Sequence, residues 1–354
     1  MQLRRRMEVR EVLVCVVGNF GDKDTLTDGQ GIKTLELYHS LLRAYGPNEV
    51  CRVNLHSKNK AVLSLKLLAA LAKSKNLIVL VSVNGRKTVI PLLAAFNKVF
   101  HKNIYHSLIG STTHKTLDEN KKYVEIFNEL AGNWSETSTE KKLLEERGLT
   151  NVTVVKNFKN LDVLSPEEME YVHAEPFPLC TFSRVEERKG IPSIVRAVKR
   201  VNEICGRTVF TLDIYGKVME RYEEAFAQLK TEFGDAIHYR GVIDFDKSVA
   251  TLKHYYMLVF PTRYYTEGIP GTLLDAFSAG VPVLSAEWES CYDIMNENVG
   301  ITYAFDDEEA LVDALLYAAR NPSIINSMKK ACLAEAKKYT PQEAIAEIAK
   351  YLEG

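Results

Sequence analysis

The sequence predicts an α/β protein of two doubly wound domains, each a parallel sheet with helices on both faces, and three observations carry that expectation. The chain has 354 residues, 46% of them hydrophobic, which is more than a single core usually organises. Short β-branched runs alternate with longer helical patterns along its length, as in βαβ units. The alternation pauses once, at Leu161–Pro178, where Pro166, Pro176, Pro178 and several acidic residues interrupt the periodicity, and it restarts at Leu179–Ser183. The domain boundary is expected there.

In the first half the strand-like runs are Val12–Val17, Leu77–Val83, Ile104–Leu108 and Val152–Val155. Helical patterns follow Gly31, start at Val89, and form a lysine-rich stretch after Leu108. The second half repeats the theme with Phe210–Tyr215, Ile237–Tyr239, Leu258–Pro261, Val281–Ser285 and a weaker Gly300–Tyr303. Doubly wound sheets bind ligands beyond the carboxyl ends of their strands, so the loops after these runs are the candidate functional segments.

Composition narrows the function classes. The longest apolar run, Ala61–Ala72, carries Lys66 and is shorter than the roughly 20 residues of a bilayer span. The basic start, Met1–Arg10, leads into a strand-like run rather than a signal-peptide core, which points to the cytoplasm. Six cysteines (Cys15, Cys51, Cys180, Cys205, Cys291 and Cys332) have no spacing suited to zinc or redox chemistry and read as reduced packing residues. The net charge of −1 hides an asymmetry: residues 1–160 hold 25 basic and 15 acidic residues, and residues 51–100 hold nine basic and no acidic ones. The first half therefore favours an anionic partner. No aromatic-basic or recognition-helix pattern accompanies the charge, so nucleic acid is not expected, whereas an anionic membrane face or a lipid-diphosphate acceptor fits.

The richest stretch runs from Tyr264 through Thr266-Glu267-Gly268-Ile269-Pro270-Gly271-Thr272 to Asp275 and Val283, between two buried strands. Gly268 lets a ligand approach the backbone, and Pro270 suits the first position of a helix whose unpaired N–H groups attract phosphate. Glu267 and Asp275, eight apart, are expected near one face with the anion site between them. One carboxylate can meet a sugar and the other a ribose.

This segment resembles the donor-site signature of the GT-B fold retaining glycosyltransferases of family 4 (glycosyl transferases group 1), in which seven residues separate two carboxylates. The resemblance implies two Rossmann-like domains facing across a cleft. It implies that Glu267 contacts the donor sugar, that Gly268, Ile269, Pro270, Gly271 and Thr272 hold sugar hydroxyls and diphosphate, and that Asp275 binds ribose. The chain departs from the pattern in having Asp rather than Glu at position 275. Phe182–Gly190 looks like the family's phosphate-neutralising loop, with Arg184 and Lys189 as its cations; two fixed cations stabilise a leaving β-phosphate without a metal. The alternative is a solvated loop that pairs with itself. The resemblance extends to Ile214–Val218 and Tyr239–Ile243, where the backbones of Gly216 and Val242 would meet the nucleotide, or else form ordinary turns.

In the first half, the loop carrying Gly18, Gly21, Asp28, Gly29 and Gly31 lacks the Gly-x-Gly-x-x-Gly spacing of a dinucleotide site. The resemblance suggests that it closes over the donor diphosphate, with Gly31 nearest; a plain βα turn capped by Asp28 is the alternative. His106 ends a strand where many family members carry a functional histidine, so contact with a sugar and a structural role both stay open. Lys115, Lys121 and Lys122 either meet an acceptor phosphate or cover a solvated helix face. Asp244-Phe245-Asp246 and Asp22-Lys23-Asp24 look like metal-binding triplets, but Asp246 reads as an N-cap and no metal is expected. The helix from Lys58 to Lys75 is either packed on the sheet or laid on a membrane.

The resemblance implies domains at 1–165 and 178–339, with a final helix at 341–354 crossing back to the first. The expected function is transfer of a sugar from a nucleoside-diphosphate sugar to a saccharide or lipid-linked acceptor, with retention of configuration and no required cofactor. Surface polysaccharide assembly is the expected context. A GT-B epimerase or hydrolase and a non-catalytic nucleotide-sugar-binding scaffold are the other readings.

Overall fold

The computed structural model describes residues 11–21, 29–56 and 59–354. The chain divides into two compact units, residues 1–157 with 341–354, and residues 158–340. The division falls a few residues ahead of the proline-rich stretch. Residues 158–164 already belong to the second unit because Lys159 N–H donates to the Tyr339 carbonyl (3.2 Å) and Leu164 N–H to that of Ser278 (2.8 Å).

The first unit holds β1 (Val12–Gly18), β2 (Val50–Asn54), β3 (Ser74–Leu80), β4 (Asn103–Ser107), β5 (Gly132–Ser135) and β6 (Val152–Val154). They form a parallel sheet in the order β2-β1-β3-β4-β5-β6. Its helices are α1 (Gly29–Tyr45), α2 (Lys60–Lys73), α3 (Val83–Phe100), α4 (Thr113–Glu119), α5 (Lys122–Asn128) and α6 (Ser138–Glu145). The second unit contains β7 (Phe177–Phe182), α7 (Ile191–Cys205), β8 (Phe210–Tyr215), α8 (Glu223–Lys230), β9 (Ile237–Gly241) and α9 (Ser248–Leu252). It continues with β10 (Met257–Phe260), α10 (Gly271–Ser278), β11 (Val283–Ala286), β12 (Gly300–Tyr303), α11 (Glu308–Arg320) and α12 (Pro322–Ala336). Its parallel sheet runs β12-β11-β10-β7-β8-β9. The closing helix α13 (Pro341–Leu352) belongs to the first unit.

Strand alternation explains the near-continuous apolar runs of the second unit. Met257 and Val259 of β10 enter one core with Leu179 and Leu284, whereas Leu258 and Phe260 enter a second core on the opposite face with Cys180 and Val283. The inner strands β10 and β11 are thus buried on both sides, as a parallel sheet covered by helices requires.

Some sequence expectations shift. The run Leu77–Val83 ends as a strand at Leu80, and Ser82 becomes the N-cap of α3, which starts six residues before Val89. The short β5, Gly-Asn-Trp-Ser, escapes sequence patterning because it is set by side-chain bonding: Asn133 Nδ2 donates to the Phe127 carbonyl (3.0 Å) and to Asn151 Oδ1 (2.8 Å). Along α2, Leu67, Ala70 and Leu71 are buried while Leu65 and Val62 stay exposed, so one stripe packs and another faces out. Cys15 and Cys51, far apart in sequence, face each other in the β1–β2 register.

Within the first unit α13 is tied to the sheet through polar bonds. Asn76 of β3 is fully buried; its Nδ2 donates to the carbonyls of Leu13 (3.0 Å) and Leu352 (3.1 Å), and its Oδ1 accepts from Asn103 (3.0 Å). Tyr105 Oη donates to the Tyr351 carbonyl (2.8 Å). Asn76→Ala should lower unfolding stability by about 1–3 kcal/mol, since buried partners lose their bonds. Urea denaturation checks this, and a change below about 0.5 kcal/mol, typical of a surface substitution, would contradict it.

Candidate functional site

In the second unit β7, β8 and β9 run outward one way and β10, β11 and β12 the other, so the topology reverses between β7 and β10. The loops after these two strands border the crevice where doubly wound sheets take ligands. Both carry residues singled out from the sequence.

The loop after β7 is fixed by backbone contacts on two sides. Val185 N–H donates to the Lys217 carbonyl (2.9 Å) and Met219 N–H to that of Val185 (3.1 Å). Gly216 has φ +133, and a Cβ there would lie 1.7 Å from the Ser183 carbonyl oxygen. Its lack of a side chain is therefore required by the loop itself, whatever it also does for a nucleotide. On the other side Gly190 has φ +68 and a Cβ there would lie 1.7 Å from the Pro261 carbonyl oxygen, while Arg263 N–H donates to the Arg188 carbonyl (2.8 Å). No residue but glycine fits either position without displacing backbone.

This frame sets the charged groups. Lys189 forms a close ion pair with Glu267, and both are largely enclosed. Thr262 Oγ1 donates to the same carboxylate (3.1 Å), and the Lys189 ammonium lies 5.7 Å from the Phe260 ring centre. Arg184 lies 3.4 Å from Glu186, a carboxylate only 2% exposed that also meets Arg221 at 2.5 Å and Arg188 at 3.5 Å. Burial pushes the Glu186 carboxyl up, but the Arg221 hydrogen bond and the charges of Arg184, Arg188 and Arg221 outweigh it and hold it below the usual range. The self-pairing alternative is thus partly realised: Arg184 and Arg188 share Glu186, while Lys189 leaves the loop to join the β10 side.

The helix after Glu267 begins later than expected. Pro270 is extended (φ −70, ψ 125) and acts as N-cap of α10, which starts at Gly271, and no side chain caps it. Glu267 lies just outside the helix, as expected, and Asp275 lies within it. Their partners are different. Asp275, 2% exposed, receives Lys159 Nζ on both oxygens at 2.7 Å and Ser248 Oγ on Oδ1 at 2.8 Å. Gly268, Ile269 and Pro270 are buried, Thr272 Oγ1 is buried with no hydrogen-bond partner among the described residues, and Val242, just past β9, is exposed.

Other expectations are corrected. His106 is fully buried within β4, its Nδ1 3.3 Å from Asn133 Oδ1 and its ring edge-on to Phe127 at 5.3 Å. Burial, with the charges of Arg86 and Lys33, lowers its pKa to about 3, so the ring is neutral and enclosed within the unit. Asp246 is not an N-cap: a 3-10 turn over Phe245–Lys247 starts after Asp244, and α9 follows from Ser248. Asp244 pairs with Lys247 at 2.7 Å, and among the described residues no group of His, Cys, Asp and Glu could hold a metal. Asp22, Asp24 and Asp28 lie outside the described residues; Gly31 falls in the first turn of α1. Lys115, Lys121 and Lys122 are exposed.

Sequence reasoning missed a buried charged cluster at the carboxyl ends of β4 and β5. Lys33 Nζ meets Glu136 at 2.5 Å and the Leu108 carbonyl at 2.9 Å, and Arg86 NH2 donates to Thr112 Oγ1 (3.0 Å). Burial pushes the Glu140 carboxyl up to about 8, against the pull of Arg86 and with the help of Glu136. Lys159, Ser248 and Glu186 were also missed. None lies in a spacing that marks it, and each is recognised only by its partner.

Residues 177–321 match the family model described as glycosyl transferases group 1. No curated protein matches the chain by sequence. Among solved structures, HepE of Anabaena in complex with UDP and glucose is 10% identical with TM-score 0.72, covering 96% of this chain and 99% of that one. Sucrose-phosphate synthase of Thermosynechococcus elongatus is 14% identical with TM-score 0.70, covering 97% and 98%. TarM of S. aureus, in complex with Fondaparinux, alpha-GlcNAc-glycerol and UDP, is 15% identical with TM-score 0.66, covering 84% and 59%. These likenesses show the fold: two parallel six-stranded α/β units of the GT-B glycosyltransferase type.

The burial of His106 has a signed pH consequence. Its folded pKa lies below the unfolded value near 6.5, so the associated stability is full above that value and is lost as pH falls toward 3. The loss approaches about 1.4 kcal/mol per pH unit. His106→Phe should flatten the fall in stability between pH 6.5 and pH 4, measured by urea denaturation at each pH. An unchanged pH slope would show that the imidazole is not the titrating group.

Proposed function

We propose that this protein is a retaining, metal-independent glycosyltransferase of family 4 that moves a sugar from a nucleoside-diphosphate sugar to a saccharide or lipid-linked acceptor in surface polysaccharide assembly. The observation that carries the reading is the Lys189–Glu267 ion pair, held between the β7 and β10 loops beside the uncapped start of α10. A helix N-terminus that Lys189 approaches through Glu267, with Arg184 on the same loop as Lys189, suits a diphosphate. The family match over 177–321 and the UDP named with HepE and TarM support it.

On this reading the donor diphosphate meets the first turn of α10, and Arg184 and Lys189 offset the charge that develops on the leaving β-phosphate. Glu267 then exchanges part of its bonding with Lys189 for a sugar hydroxyl and positions the ring. The incoming hydroxyl attacks from the side the phosphate leaves, the phosphate oxygen taking its proton, which preserves configuration without a protein nucleophile. His106 has no place in this scheme.

A thermal-shift panel of UDP, GDP, ADP and their sugar conjugates, without metal, tests the reading. One nucleotide series should stabilise the protein, by about 2.7 kcal/mol at 100 times its Kd, and Arg184→Ala should weaken the effect. No response to any nucleotide would refute it. Product formed only with an acceptor distinguishes transfer from epimerisation or hydrolysis.

The basic first unit is proposed to meet an anionic membrane face. Its support is the exposed Leu65 and Val62 of α2, a helix with Lys66 and Lys73 and no acidic residue. Binding to phosphatidylglycerol vesicles that weakens at least tenfold in Leu65→Glu is expected on flotation; no binding at low salt would refute this surface.

A further inference from the structure

We infer that Cys15 and Cys51 form a reversible oxidation site, a thiol pair that hydrogen peroxide converts into a disulfide fastening the edge strand β2 to β1. The proposed sugar transfer uses neither sulfur.

The geometry starts from the parallel register of the two strands, in which Cys15 and Cys51 are direct partners. Register partners point to the same face of a sheet, and strands about 4.8 Å apart keep such Cα atoms inside the roughly 4.4–6.8 Å that a disulfide spans. Both side chains lie on the face covered by α2: Cys15 shares a core with Leu67, Ala70 and Leu71, and Cys51 packs against that core. Strand β2 is the outermost of the sheet, and β1 lies one strand further in. Cys15 is accordingly fully buried, whereas Cys51 keeps part of its surface exposed. A small oxidant therefore meets Cys51 first.

The surroundings divide the two roles in the same way. The Cys15 thiol donates a hydrogen bond to the Cys51 sulfur, Ser74 Oγ lies 3.6 Å from that sulfur, and Lys73 adds a positive charge nearby. The Cys15 hydrogen bond above all, with Ser74 and Lys73, holds the Cys51 thiol below the usual thiol range against its partial burial. The same hydrogen bond and burial push Cys15 well above that range. Cys51 is thus the thiolate, and Cys15 keeps its proton.

The chemistry follows in two steps. Cys51 Sγ attacks one oxygen of hydrogen peroxide; the S–O bond forms, the O–O bond breaks and hydroxide leaves, so the sulfur is oxidised by two electrons to a sulfenic acid and the peroxide is reduced. Cys15 Sγ then attacks Cys51 Sγ; the S–S bond forms, the S–O bond breaks, and the leaving hydroxide takes the Cys15 proton as water. A dithiol reductant reverses the result by becoming a disulfide itself and returning two hydrogens to the pair. The neighbouring thiol, already aimed at the sulfur, closes the bond before a second peroxide can drive Cys51 to the irreversible sulfinic acid.

The test is peptide mapping of the full chain by mass spectrometry under non-reducing conditions, after brief exposure to hydrogen peroxide in modest excess. The peptides carrying Cys15 and Cys51 should be recovered joined, lighter than their sum by the two hydrogens lost, and should separate after dithiothreitol. Cys205→Ser, which removes the other half-buried cysteine, should leave the link unchanged. Cys15→Ala should leave Cys51 as a sulfenic acid that dimedone traps, and Cys51→Ala should leave Cys15 unmodified. Hydrogen exchange of the Val50–Asn54 amides should slow at least tenfold on oxidation, because the link opposes local opening of an edge strand. Recovery of both cysteines of the wild type as free thiols, Cys51 as sulfinic acid, or Cys51 joined to a different cysteine would overturn the inference, and none of these outcomes requires a variant that folds. Unchanged exchange in β2 of the linked protein would overturn the fastening of the edge strand.

Discussion

The candidate site depends on two places where backbone meets backbone with no room for a Cβ. Gly216 against Ser183 and Gly190 against Pro261 lock the loop after β7 to its neighbours on both sides. Because β7 is central and the chain reverses beside it, a single loop is held from the β8 side and the β10 side at once. Lys189 then has one direction to reach, toward Glu267, and Arg184 is kept at Glu186. A loop free on either side would let these long side chains spread over many rotamers, and the entropy of collecting them would fall on the binding step. The sheet topology thus does part of the positioning before any side chain is considered.

Each cation at the site is already matched by a carboxylate: Lys189 by Glu267, Arg184 by Glu186, Lys159 by Asp275. A partly buried cation left without its carboxylate would destabilise the empty unit, so these pairs matter for folding as well. The three pairs differ in what they can release. Glu267 and Lys189 are each slightly exposed and hold one another, and on the proposed function an arriving ligand divides them between its hydroxyls and its phosphates. Glu186 is almost fully enclosed and serves three guanidiniums, which suits a fixed support rather than an exchangeable partner.

The parts of this arrangement that sequence could disclose are those set by local rules. Buried parallel strands appear as β-branched runs, and Phe210–Tyr215 and Gly300–Tyr303 coincide with β8 and β12 to the residue. The glycine and proline punctuation around Glu267 marked the segment leading into α10, although the start of the helix moved one residue because an extended proline cannot begin it. Strand β5 was illegible for the opposite reason: of its four residues only Trp134 favours a strand, and the Asn133 side chain helps to hold it. His106 was open to two readings because position at a strand end says nothing about depth, and its ring lies inward against Phe127.

Pairings are where local rules run out. Lys33 and Glu136 are 103 residues apart, Lys159 and Asp275 116, and Lys189 and Glu267 78. No periodicity links such partners, since each pair joins loops or helices that the sheet order brings together. Asp275 shows the consequence. Read alone, an aspartate where the family pattern has a glutamate is a carboxylate one methylene too short. Read with Lys159 in place, the shorter carboxylate is one half of an ion pair whose ammonium lies over the Phe245 ring. A substitution that looks conservative at one site is therefore interpretable only through a residue more than a hundred positions away.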